Sequence, residues 1–90
     1  MIIARTIKLS GNVQGVSFRD SMVREALRVG LVGWVRNLAD GSVEAFAQGE
    51  PVAMEDILQW ARLGPPGSQV DDLESESAAI DPALKTFERR

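Results

Sequence analysis

Ninety residues, 44% hydrophobic and 26% charged, are the size and composition of one globular domain with a single core. The absence of Cys, His and Tyr excludes disulfides, thiolate and imidazole nucleophiles, and metal centres built on Cys or His. Net charge is −3, with six Lys/Arg against four Asp/Glu in residues 1–45 and four against nine in residues 46–90. An acidic chain is a poor partner for nucleic-acid phosphates, but a small anion can still dock in the basic half.

Ile3, Ile7 and Leu9 share one parity, which predicts a first strand over Ile3–Ser10 with one buried face. Gly11 to Ser17 breaks the alternation and reads as a loop. From Phe18 the period changes: Phe18, Met22 and Ala26, flanked by Val23 and Leu27, form the apolar stripe of a helix. Ser17 is expected to be its N-cap, with Asp20 in the first turn, and Gly30 its C′ residue. Leu31–Leu38 reads as an apolar strand, Asp40-Gly41 as a hairpin turn, and Val43, Ala45 and Ala47 as its return strand.

Pro51 opens a second helix whose face is Met54, Ile57, Leu58 and Ala61, with Trp60 also placed against the sheet. Gly64-Pro65-Pro66-Gly67 stops it. Val70–Ser77 is a weak acidic strand suited to a sheet edge. After an Asp81-Pro82 turn, Leu84–Arg90 can pair as a last short strand with Phe87 buried. Residues 1–90 thus read as one α+β domain with the order β-α-β-β-α-β and a C-terminal strand. This predicts a ferredoxin-like sandwich, an antiparallel sheet with two helices on one face. Many functions use that plan, so the site must decide.

The chemistry concentrates in Gly11-Asn12-Val13-Gln14-Gly15-Val16-Ser17-Phe18-Arg19, where a glycine-containing loop runs into a helix. A helix N-terminus has unpaired N–H groups and a partial positive charge, and such a loop can turn further N–H groups toward one anion. Arg19 adds a guanidinium able to fork onto two phosphate oxygens. The same residues also fit a tight turn carrying a surface arginine. A Walker A loop is excluded, because no Gly-Lys-Ser/Thr follows at the required spacing.

This stretch resembles a signature of the acylphosphatase family, and a second signature matches Gly30-Leu31-Val32-Gly33-Trp34-Val35-Arg36-Asn37 with Asp40-Gly41-Ser42-Val43-Glu44. The likeness runs from the first strand to Phe87-Glu88-Arg89-Arg90 and implies the same ferredoxin-like fold. It implies that Arg19 binds the substrate phosphate with the backbone N–H groups of Gln14, Gly15, Val16, Ser17, Phe18 and Arg19. It also implies that Asn37 orients the attacking water; by itself Asn37 reads as a polar residue near a strand end before a hairpin, not as a catalytic group.

The implied substrate is an acyl phosphate, the products are a carboxylate and inorganic phosphate, and neither metal nor cofactor is expected. That reaction suits a chain without His or Cys, because a carboxylate leaves without general-acid help. Asn12, Met22 and Asp20 depart from the family pattern. Asp20 puts a carboxylate beside Arg19, where it either weakens anion binding or supports the helix terminus.

An RNA-recognition module shares the element order, but it needs more aromatics on its middle strands than Trp34 and Phe46 and a basic surface. A phosphate-sensing domain that binds without turnover is the other alternative. Asp71, Asp72, Glu74 and Glu76 could hold a hard cation, yet acids along an edge strand more commonly form a solvated face. No segment has the apolar length of a membrane span or signal peptide, so a cytoplasmic monomer without membrane or nucleic-acid partners is expected.

Overall fold

The computed structural model describes all 90 residues. In strand β1 (Ile3–Asn12) the predicted alternation holds at Ile7 and Leu9, both fully buried on the inner face, whereas Ile3 is only partly buried and Ala4, of the other parity, is buried. It lies between β3 (Val43–Gly49) and β4 (Gln69–Ala78), antiparallel to both. Strand β2 (Val32–Asn37) pairs antiparallel with β3 across the hairpin. The last strand, β5 (Phe87–Arg89), joins the free side of β2 in parallel, giving the order β4-β1-β3-β2-β5. The ferredoxin-like arrangement is therefore present, as an antiparallel four-stranded sheet made mixed by its fifth strand. The acidic strand β4 lies at an edge, where its charges disfavour pairing with another chain.

Helices α1 (Phe18–Val29) and α2 (Pro51–Leu63) have their core-facing residues on one side of this sheet. On α1 the buried stripe is Phe18, Met22 and Ala26. Leu27, expected beside that stripe, is 51% exposed, because the helix meets its neighbours along a narrower line than its sequence allows. Gly30 closes α1 in a Schellman arrangement, with Leu31 N–H donating to the Ala26 carbonyl at 2.9 Å. On α2 the inward residues are Ala53, Met54, Ile57 and Ala61. Trp60 is only partly buried, and its ring meets Phe18 at 5.4 Å, joining the two helices above the start of α1. Burying Phe18 and Met22 contributes about 2 kcal/mol each and holds the helix N-terminus against the sheet.

Two contacts explain how the tail reaches β2. Gln48, 93% buried, donates to the Asp81 carbonyl at 3.1 Å and accepts from Asp81 N–H at 2.8 Å, fixing the turn before β5. Phe87 then packs beside Gly33, its register partner. A Cβ at position 33 would lie 3.0 Å from the Phe87 ring and 1.8 Å from the Phe46 carbonyl oxygen, so only glycine fits. On the outer face Trp34 stacks on Phe46 with centroids 6.2 Å apart, while Arg36 and Arg90 each lie 5.1 Å from the Trp34 ring. The two aromatics weighed above as an RNA platform are thus engaged with each other and with arginines. No helix is long and apolar enough to cross a membrane.

Candidate active site

Between β1 and α1 the chain passes through Val13–Ser17, anchored by Val13, which is 99% buried. Gly15 has φ +74° and Ser17 φ +62°, with Val16 between them at negative φ. Alternating signs of φ turn successive N–H groups toward a common centre. None of the N–H groups of Gln14 to Arg19 donates to a protein acceptor; the first helical bond runs from Ser21 N–H to the Ser17 carbonyl at 3.0 Å. Loop and first turn therefore present a row of unpaired donors, reinforced by the positive end of α1.

The left-handed conformation of Ser17 corrects one sequence expectation. A side-chain N-cap needs an extended backbone at the cap, and at φ +62° the Ser17 hydroxyl makes no capping bond. The residue serves the curvature of the loop instead.

Gly15, Ser17, Phe18 and Arg19, which carry four of these donors, line a cleft of about 240 Å³ together with Val13, Asp20, Asn37 and Arg89. Arg19, in the first turn of α1, donates from Nη1 to the main-chain oxygen of Arg90 at 3.0 Å, which steadies the guanidinium between the helix and the segment after β5. Asn37 ends β2 on the same side of the sheet. Its Oδ1 is the only buried side-chain polar atom without a hydrogen-bond partner. A desolvated acceptor costs about 1–3 kcal/mol unless a donor reaches it, and the residue that carries it lines the cleft.

Of the residues singled out in the sequence, Gly15, Ser17, Phe18, Arg19 and Asn37 line this one cleft, whereas Gln14 and Val16 do not. Val16 leans on the core. Gln14 sends its side chain the other way: Nε2 donates to the carbonyls of Leu38 at 2.8 Å and Ser42 at 2.9 Å. That amide ties the loop to the hairpin beginning just after Asn37, so it sets the distance between the donor row and the asparagine. Asp20 accepts from Arg89 Nη1 at 3.0 Å, the salt bridge lying at the cleft rather than on a remote face. Arg89 is absent from the sequence-based set because only the parallel docking of β5 brings it there. Asp71, Asp72, Glu74 and Glu76 do not converge into a metal-binding group.

A two-helix, five-stranded domain with unpaired N–H donors, an arginine and an asparagine around one open cleft defines a small anion-binding protein of the ferredoxin-like class. Residues 5–89 match the acylphosphatase family model. An acylphosphatase of Acidiphilium cryptum is 48% identical over 89 residues, covering 99% of this chain and 97% of that one. Acylphosphatase structures from Coxiella burnetii and Bacillus subtilis superpose with TM-scores of 0.94 and 0.93. They are 34% and 32% identical, and cover 99% and 100% of this chain and 93% and 99% of theirs. The chain belongs to the acylphosphatase family, hydrolases that act on acyl phosphates.

Proposed function

We propose that the cleft carries out this hydrolysis by direct attack of one oriented water on phosphorus, without a covalent enzyme intermediate. Arg19 and the backbone N–H groups of Gln14, Gly15, Val16, Ser17, Phe18 and Arg19 hold the phosphoryl oxygens. The side-chain amide of Asn37 hydrogen-bonds the water and so aims an oxygen lone pair at phosphorus. The P–O bond to the acyl group breaks with its electron pair leaving on the carboxylate. The water oxygen bonds phosphorus, and its proton passes to a phosphoryl oxygen of the substrate.

Phosphoryl transfer of this kind is largely dissociative, so positioning and stabilisation of charge on the equatorial oxygens matter more than a strong base. The observation that carries this reading is that Asn37, whose buried Oδ1 has no partner, lines the same cleft as Arg19 and the unpaired N–H groups of the loop and first helical turn.

The reading takes the working unit to be a cytoplasmic monomer that needs no metal and acts on small molecules. Nucleic acid is not a partner in this reading, in keeping with the net charge of −3.

The test is hydrolysis of benzoyl phosphate with EDTA present, using p-nitrophenyl phosphate as a control ester. Asn37→Ala should lower kcat by about 10²-fold with little change in KM, as expected for a group acting on the water. The rate of the wild type should be flat from about pH 5 to 8, since the cleft holds no His or Cys to serve as a base. Full activity in Asn37→Ala would remove the water-orienting role, and inhibition by EDTA would remove the metal-free route.

A further inference from the structure

The cleft contains a second guanidinium that the proposed hydrolysis leaves unassigned. Arg89 projects from the inner face of β5, its backbone in register with Val35, two residues before Asn37. The strand is anchored on one side by buried Phe87 and on the other by Arg90 N–H, which donates to the Val35 carbonyl at 2.8 Å. Arg89 lines the same cleft as Arg19 and Asn37. It uses only Nη1, on the Asp20 carboxylate at 3.0 Å, and its other N–H donors have no protein acceptor. Both partners of the pair are 51% exposed, so solvent and solutes reach the guanidinium.

We infer that Arg89 is a specificity-determining residue, selecting acyl phosphates whose acyl group carries its own carboxylate, the monophosphates of dicarboxylic acids. The inference rests on the reading of the site given above. The phosphoryl charge is answered by Arg19 and the N–H row, so Arg89 is not needed for it. Asp20 shows what Arg89 binds in this position, a carboxylate held by a charge-assisted hydrogen bond. Arg89 has a planar fork of five donors, and the unused ones can take a second carboxylate beside Asp20 or in its place. Asp20 then acts as a competitor: it holds the side chain at the cleft when the acyl group is uncharged and yields it to an anionic acyl group. Because the pair is half-exposed, the preference should weaken as ionic strength rises.

The experiment compares benzoyl phosphate with 4-carboxybenzoyl phosphate, which differs only in a ring carboxylate. Arg89→Leu should raise KM for the carboxylated substrate by about tenfold and leave benzoyl phosphate within about twofold, while Arg89→Lys restores part of the difference. Asp20→Asn should lower KM for the carboxylated substrate alone. Thermal unfolding of each variant separates lost folding from lost recognition. Equal losses on both substrates would make Arg89 a phosphoryl ligand or a structural residue and overturn the inference. No loss on either would make the pair a surface salt bridge and overturn it as well. If benzoyl phosphate turnover survived Arg19→Ala, the reading of the site would fall first, and the inference with it.

Discussion

Two polar clefts of about 240 Å³ flank the β2–β3 hairpin, and they are opposites. One, between β1, β4 and the hairpin turn, sets Asp40, Asp72 and Glu74 against Lys8 alone. The other has Arg19 and Arg89 against Asp20. Size does not distinguish them; the direction of the N–H groups does. In the first, Ser42 N–H and its hydroxyl already donate to Asp40 Oδ1, and Lys8 Nζ lies 3.4 Å from the same carboxylate. The anion there is part of the chain. In the second, a longer run of donors has no acceptor of its own. The effect of such donors is visible at Asp40, whose carboxyl is lowered to about 2, chiefly by the Ser42 hydroxyl and N–H. Donors that favour a built-in carboxylate in one cleft would favour a phosphoryl group in the other.

The comparison breaks most readily at Arg19. Arg19→Ala should reduce kcat/KM for benzoyl phosphate by about 10³-fold and abolish competitive inhibition by inorganic phosphate. The melting temperature should hardly move, since the side chain makes one peripheral hydrogen bond. If phosphate still inhibited the variant at wild-type concentrations, the backbone row alone would be the anion site.

A smaller effect is expected at Gly15. A Cβ there meets nothing within 4 Å, so Gly15→Val tests conformation rather than space. Holding valine at φ +74° costs about 1–2 kcal/mol. Relaxation of that strain swings the donors apart, and the inhibition constant for phosphate should rise by about tenfold. A variant with unchanged phosphate binding would show that the loop does not act through its curvature.

The acidic cleft gives a control with the opposite signature. Asp40→Asn should leave hydrolysis unchanged but alter acid stability. The folded pKa is about 2, below the ordinary value of about 3.9, so the unfolded chain binds the proton more tightly. Asp40 therefore stabilises the fold fully above about pH 4, and its contribution is lost as pH falls toward 2. Wild type and variant should differ near neutrality and converge in acid, which urea unfolding at several pH values would follow. A constant difference across that range would mean that the interaction at Asp40 does not depend on its charge.

The smallest effect belongs to Ser17. Removing a true N-cap costs about 1 kcal/mol, whereas Ser17→Ala should stay within about 0.5 kcal/mol, because its hydroxyl caps nothing. A larger loss by denaturant titration would restore the cap expected from the sequence.

Much of this site is legible in the chain because its parts are local. A glycine-bearing loop, a helix start and Arg19 occupy adjacent positions, and one motif carries them all. Asn37 is legible only through its surrounding signature, since a lone asparagine before a turn has no chemistry of its own. The roles of Gln14 and Ser17 are less legible. One side chain reaches 24 and 28 residues along the sequence, and the backbone of the other takes a sign of φ that side-chain type does not announce.

By itself, then, the sequence determined what depends on period and neighbours. It set the strand and helix order through the switch from two-residue to helical spacing, and excluded imidazole and thiolate chemistry by composition. It also placed loop donors next to an arginine. Tertiary structure decided what depends on distant residues sharing a cleft. Gln48 and Gly33 guide the tail to the far side of β2, and only there do Arg89 and the main-chain oxygen of Arg90 meet α1. The physical reason is that hydrophobic period is a short-range pattern set by each element's own solvent boundary. The position of a sheet edge depends instead on contacts that exist only once the other strands are in place.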